Sequence, residues 1–128
     1  MSAAGDVLSL GIDAESDEPL PDDGMLDLIA TREERARLRA LAAAAPGTSW
    51  DRLLFSAKES VYKTWFPLAR QWLGFESADI VIDASAGTFT ARLLVEGPLV
   101  NGSPMTVLHG QWLSGQGLLV TSVVVPAG

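Results

Sequence analysis

Two periods of apolar residues divide this chain. Between residues 50 and 72, Leu54, Ala57, Val61, Trp65, Leu68 and Trp72 recur at steps of three and four, which makes one apolar stripe on a helix starting near Trp50. Ser49 stands where its N-cap would be. Pro67 falls inside the pattern; it has no N–H and clashes with the preceding turn, so a kink or break is expected near Phe66. Gly74 is the expected C′ residue. Upstream, Thr31 followed by Glu34 has the form of a capping box and opens a helix over "REERARLRALAAAA", stopped by "PGTS". Glu33 and Glu34 fall in its first turn and Arg35, Arg37 and Arg39 follow, the order the helix dipole favours. "MLDLIA" suggests a short helix, and "SDEPLPDDG" before it is a loop.

After residue 78 the period shortens. "DIVIDA", "GTFTARLLVEG", "MTVLHGQWL" and "GLLVTSVVV" are β-rich runs separated by "SAG", "GPLVNGSP" and "SGQG", a pattern that predicts a four-strand antiparallel meander. "DVLSLGIDAE" (6–15) adds a partly buried strand at the front. The predicted fold class is α+β, an antiparallel β-sheet packed against helices, in a single domain over residues 1–128.

Composition narrows the function. There is no cysteine, which excludes disulfides and thiolate zinc sites and suits a cytoplasmic protein. No apolar run is long enough to span a membrane, and the first residues lack the basic segment of a signal peptide. The net charge of −7 is uneven: residues 1–34 hold ten of the sixteen acids and a single base, Arg32. An acidic front argues against nucleic acid as partner. It suits either a solvated loop or a divalent cation.

The candidate chemistry lies in "FSAKESVYK". Glu59 is about 160° around the helix from Val61 on the apolar stripe. Glu59 and Lys63 are four apart, in the favoured order for an ion pair on a solvated face. That face, however, also carries Phe55, Tyr62 and Phe66. A second acidic pair, Asp13 and Glu15 in "GIDAE", shares one face of the front strand, and Gly11 permits a close approach there. Two carboxylates from a strand and one from a helix would make an oxygen-only site of the kind Mg²⁺ takes, with neighbouring lysines suited to phosphates. Spacing alone does not bring strand and helix together.

"GIDAE" followed by "FSAKESVYK" resembles the signature pair of the 4'-phosphopantetheinyl transferase superfamily, roughly G-(I/V)-D-x-E and (W/F)-(S/T/C/A)-x-K-E-(A/S)-x-x-K. The continuation "TWFPLARQWLGFESADI" is similar to the long type found with enterobactin, surfactin and mycobacterial-type synthases, and the likeness runs from residue 7 to about 125. The resemblance implies transfer of the 4'-phosphopantetheine arm of coenzyme A to a serine of an acyl or peptidyl carrier protein, with release of 3',5'-ADP. It implies that Asp13, Glu15 and Glu59 bind Mg²⁺, that Lys58 and Lys63 hold phosphate oxygens, and that Glu59 is the general base, with Lys63 offsetting charge in the transition state.

Long-type members have two similar halves with coenzyme A between them. Starting just before its GID motif, this chain corresponds to the C-terminal half. The other half normally supplies basic residues for the 3'-phosphate and a Ser-x-x-His motif. The short type, also about 120 residues, builds its sites between subunits but carries such a motif near its C-terminus, where this chain reads "GLLVTSVVVPAG". The single histidine, His109, is expected to be a strand residue with no catalytic task. The expectation is a half-enzyme that is active alone, as a homo-oligomer or with the missing lobe, or a non-catalytic lobe that docks carriers. Arg35, Arg37, Arg39 and Arg52 form either the docking surface for an acidic carrier or ordinary helix-end electrostatics.

Overall fold

The computed structural model describes residues 7–127. Strand β1 (Val7–Ser16) is followed by helices α1 (Asp23–Ile29), α2 (Arg32–Ala44) and α3 (Trp50–Ala69) and a single 3-10 turn (Phe75–Ser77). Strands β2 (Ala78–Asp83), β3 (Thr88–Leu93), β4 (Leu99–Val100), β5 (Ser103–Pro104), β6 (Val107–Gly115) and β7 (Leu118–Pro126) complete the described chain. The five long strands form one antiparallel sheet in the order β1-β7-β6-β3-β2. The predicted meander is therefore present, and the front strand closes onto its last member. Asp6, the first residue of the predicted front strand, lies outside the described residues.

The helices form as the sequence signals direct. Asp22 caps α1 by accepting from the Met25 N–H at 2.9 Å. At α2, Thr31 Oγ1 accepts from Glu34 N–H at 3.1 Å while Glu34 Oε1 accepts from Thr31 N–H at 2.8 Å, both halves of a capping box. Helix α3 lies against β1 and β7. Its stripe residues Leu54, Ala57, Val61 and Trp65 are buried with Ile80, Phe89, Ala91, Leu108, Leu119 and Val123 of the sheet.

Three local expectations are corrected. Ser49 occupies the N-cap position of α3, but its side chain makes no capping bond. Pro67 does not break the helix, which ends two residues later. A proline within the last turn costs little, because few further turns depend on the hydrogen bond it cannot make. The end is set by Arg70, whose left-handed backbone (φ 55°) lets its N–H reach the Phe66 carbonyl at 2.8 Å. Gly74 (φ −70°) instead precedes the 3-10 turn. The stripe consequently stops short of Trp72, which is 74% exposed. Within the predicted separator "GPLVNGSP" lies the small β4–β5 hairpin, turned by Asn101-Gly102, both at positive φ, the preferred pair for a tight hairpin turn.

All of the long helix lies on one side of the sheet. Along β1 the residues facing it are Ser9, Gly11 and Asp13, while Leu8, Leu10 and Ile12 point the other way and are about half exposed. Val124 of β7 and Val107 of β6 are exposed as well.

Candidate active site

The site is made by the crossing of β1 and α3, and that crossing is unusually close. A Cβ on Gly11 would sit 2.1 Å from the Ser60 carbonyl oxygen and 2.3 Å from Thr64 Oγ1. Only glycine lets the strand and helix backbones approach this far. Hydroxyl groups line the same seam. Ser9 Oγ donates to the Thr64 carbonyl at 2.8 Å, Thr64 Oγ1 to the Ser60 carbonyl at 2.8 Å, and Ser56 and Thr121 share a bond of 2.9 Å. These buried groups are satisfied; the Ser9–Thr64 bond ties β1 to α3, and the Ser56–Thr121 bond ties α3 to β7.

One turn from this contact, Asp13 and Lys63 meet. Lys63 Nζ donates to Asp13 Oδ1 and to the Ile12 carbonyl, each at 3.0 Å. The lysine therefore pairs with the strand and not with Glu59, which corrects the ion pair expected within the helix. Asp13 is 8% exposed, and its second oxygen, Oδ2, is buried with no partner. Glu59 and Glu15 both feel this neighbour. The Glu59 carboxyl is pushed up, first by burial and then by the Asp13 charge, against the pull of Lys63. The Glu15 carboxyl is pushed up to about 7 by burial and by the neighbouring Asp13 carboxylate, with Arg52 opposing at 3.5 Å. Burial beside a negative charge raises both carboxyls, and the same setting favours a nearby cation.

Among the described residues, no three His, Asp or Glu side chains are gathered tightly enough to cage a metal as they stand. In chemistry the donor set is one a hard divalent cation takes: all three are carboxylates, and Asp13, whose Oδ2 is buried without a protein partner, acts on both of the others.

Lys58 behaves differently from Lys63. It is 4% exposed, and its ammonium donates to Glu34 Oε1 at 2.9 Å and to the carbonyls of Phe75 and Ala78. Its three donors are all taken, so in this arrangement none is left for a phosphate oxygen. Sequence reasoning found Glu34 as a cap but missed it as the partner of Lys58, because the two are 24 residues apart and no periodicity links them.

Beside Glu59 opens a cavity of about 260 Å³, walled by Lys58, Tyr62, Trp72, Leu73 and Phe75 among others. Tyr62 and Trp72 of this wall meet at a tilt of 57°, ring centroids 5.1 Å apart. The remaining candidates lie elsewhere. His109 is exposed on β6, opposite Thr90, on the sheet face away from α3. Arg37 is paired with Asp79 at 2.7 Å, Arg35 reaches Asp27 at 3.8 Å and the Ala30 carbonyl at 2.9 Å, and Arg52 spans Glu15 and the carbonyls of Glu18 and Pro19. Three of the four arginines of the expected docking surface thus have partners within the chain.

Comparison with known proteins agrees with this geometry. The family model of the 4'-phosphopantetheinyl transferase superfamily matches residues 9–106, which include both acidic motifs. The chain is 52% identical over 130 residues to the 4'-phosphopantetheinyl transferase Svp of Streptomyces mobaraensis, covering 100% of this chain and 52% of that protein. It is 44% identical over 123 residues to PptT of Mycobacterium tuberculosis (93% of this chain, 53% of that protein). To Npt of Nocardia iowensis it is 41% identical over 123 residues (90% of this chain, 54% of that protein). The chain spans about half the length of the curated relatives it matches. With its two acidic motifs brought together at one strand–helix crossing, and with these similarities, the chain belongs to the 4'-phosphopantetheinyl transferase superfamily.

Proposed function

We propose that this chain carries out, or supplies one lobe for, the Mg²⁺-dependent transfer of the 4'-phosphopantetheine arm of coenzyme A to a serine of an acyl or peptidyl carrier protein. The observation that carries the reading is the meeting of Asp13 with Lys63 and Glu59 across β1 and α3, from motifs some 45 residues apart. Asp13, Glu15 and Glu59 would hold the cation, which when bound supplies charge neutralisation at the pyrophosphate. Glu59, half-buried beside the cavity, would take the proton from the serine hydroxyl, directly or through a water. The serine oxygen then bonds to the phosphorus that carries the pantetheine arm. The bond from that phosphorus to the bridging pyrophosphate oxygen breaks, and 3',5'-ADP leaves with the electron pair. Lys63, half exposed at the rim, offsets charge on the phosphate oxygens. The cavity at Glu59 suits the uncharged arm that extends from the same phosphate.

The test is direct. The chain is incubated with coenzyme A, Mg²⁺ and an apo carrier protein, and the carrier is weighed. The expected result is a gain of one phosphopantetheine arm, lost in Glu59→Gln. No gain at any protein concentration sinks activity for the chain by itself.

A second reading is favoured by the sheet face away from α3. Leu8, Leu10, Ile12, Val107 and Val124 lie on that face and are exposed, and no helix among the described residues covers them; the chain also matches half the length of its relatives. In this reading the chain is the C-terminal lobe of the two-lobed type, and this face takes a partner lobe or a second copy. A carrier that gains mass only when the missing lobe is added, or only at high protein concentration, supports it.

A further inference from the structure

Glu34 and Lys58 form the most deeply buried ion pair among the described residues, with side chains 1% and 2% exposed. Glu34 Oε1 accepts from Lys58 Nζ and from the Thr31 N–H, and Oε2 accepts from the Ile80 N–H at 2.7 Å. Lys58 Nζ also donates to the carbonyls of Phe75 and Ala78. This one node therefore joins the start of α2, the middle of α3 and the segment from Phe75 to Ile80. Phe75 and Ala78 of that segment, with Trp72, Leu73 and Gly74 just before it, form a wall of the cavity beside Glu59. Phe75 is also held from α3 by Phe55, ring centroids 6.3 Å apart.

We infer that Glu34 and Lys58 are positioning residues: the pair pins the wall of the cavity beside Glu59 and so sets the fit of whatever occupies it. The pin, and not a phosphate contact, is the task of Lys58. Swinging its ammonium out to a ligand would strand a buried Glu34 charge and two buried carbonyls, and an unpaired buried charge is strongly destabilising. A fully satisfied buried pair of this kind resists rearrangement more than it adds net stability. The inference rests on the function proposed above only for the occupant, the arm of coenzyme A.

The experiment compares the full chain with Glu34→Gln, Lys58→Met and the double variant, by coenzyme A binding with Mg²⁺ in a calorimeter and by hydrogen exchange. Each single change leaves one buried charge unpaired. Each is expected to speed amide exchange across residues 73–80 by about tenfold or more while leaving β6 and β7 protected, and to weaken binding by about tenfold. The double variant, which has no unpaired charge, is expected to recover most of both. A double variant that binds as weakly as Lys58→Met overturns the inference, since that is the result of losing a direct phosphate contact. Should Glu34→Gln fail to fold, Lys58→Met and the double variant still make this comparison. If the unaltered chain does not bind coenzyme A, the reading in which it acts by itself fails. Exchange at residues 73–80 then decides the pin: acceleration in Lys58→Met that the double variant reverses supports it, and unchanged exchange overturns it.

Discussion

Asp13 is the residue on which the site turns. Its buried, unpartnered oxygen lies beside two carboxyls that burial and its charge push up, and on the function proposed above protons and a divalent cation would compete there. Glu15 gives the sign of that competition. Its carboxyl titrates near 7 in the folded chain against 4.5 as a free side chain. Between those values the folded state keeps a proton the unfolded state has lost, so metal-free stability falls as pH rises through the window. The expected outcome is a melting temperature that drops from about pH 5 to about pH 7.5 without metal, and a Mg²⁺-induced rise that is larger at the higher pH. A Mg²⁺ effect equal at both values would show that the cation does not displace these protons. For Glu59→Gln, transfer to the carrier should fall by about 10² to 10⁴, the usual share of a general base, with the fold intact by circular dichroism.

At the level of elements, what holds these groups in place is the crossing of β1 and α3. Gly11→Ala would drive a methyl into the Ser60 carbonyl, which belongs to helix backbone and cannot rotate away. The expected cost is at the upper end of about 1–3 kcal/mol, read from urea unfolding, together with weaker Mg²⁺ binding as Asp13 is pushed from Glu59. Thr31→Ala removes the α2 cap and should destabilise by about 1 kcal/mol. Much of this level was legible in the sequence. The Thr31–Glu34 box, the Leu54–Trp65 stripe and the alternation in the strands are local patterns, and local patterns survive folding. The rest was decided by contacts the chain makes far away. Pro67 sits too close to the helix end to break it, and Arg70 took the left-handed turn expected near Gly74. Lys63, half exposed, pairs with the buried Asp13 carboxylate rather than its helical neighbour, and Lys58 turns inward to Glu34; an exposed pair within the helix is worth only a few tenths of a kcal/mol.

Across the whole molecule, the fold is a half-covered sheet. The helices shield one side, and the other presents Leu10, Ile12 and Val124 to solvent. If that face takes a partner, sedimentation should show mass rising with concentration, and Val124→Lys should return the chain toward a monomer while leaving its circular dichroism unchanged. The family membership was legible from the motif pair; which surface meets a partner was not, because strand alternation gives the same pattern whether the outer side meets water or protein. One feature of the topology reaches into the timing of assembly. Strand β1, which carries Asp13 and Glu15, hydrogen-bonds only to β7, with Gly11 opposite Val123 and Asp13 opposite Thr121. During synthesis β1 has no sheet strand to pair with until residues 118–126 have left the ribosome. On the function proposed above, a chain stopped before residue 118 would hold Asp13, Glu15 and Glu59 without the strand that aligns β1, so the capacity to bind a cation would arrive with β7.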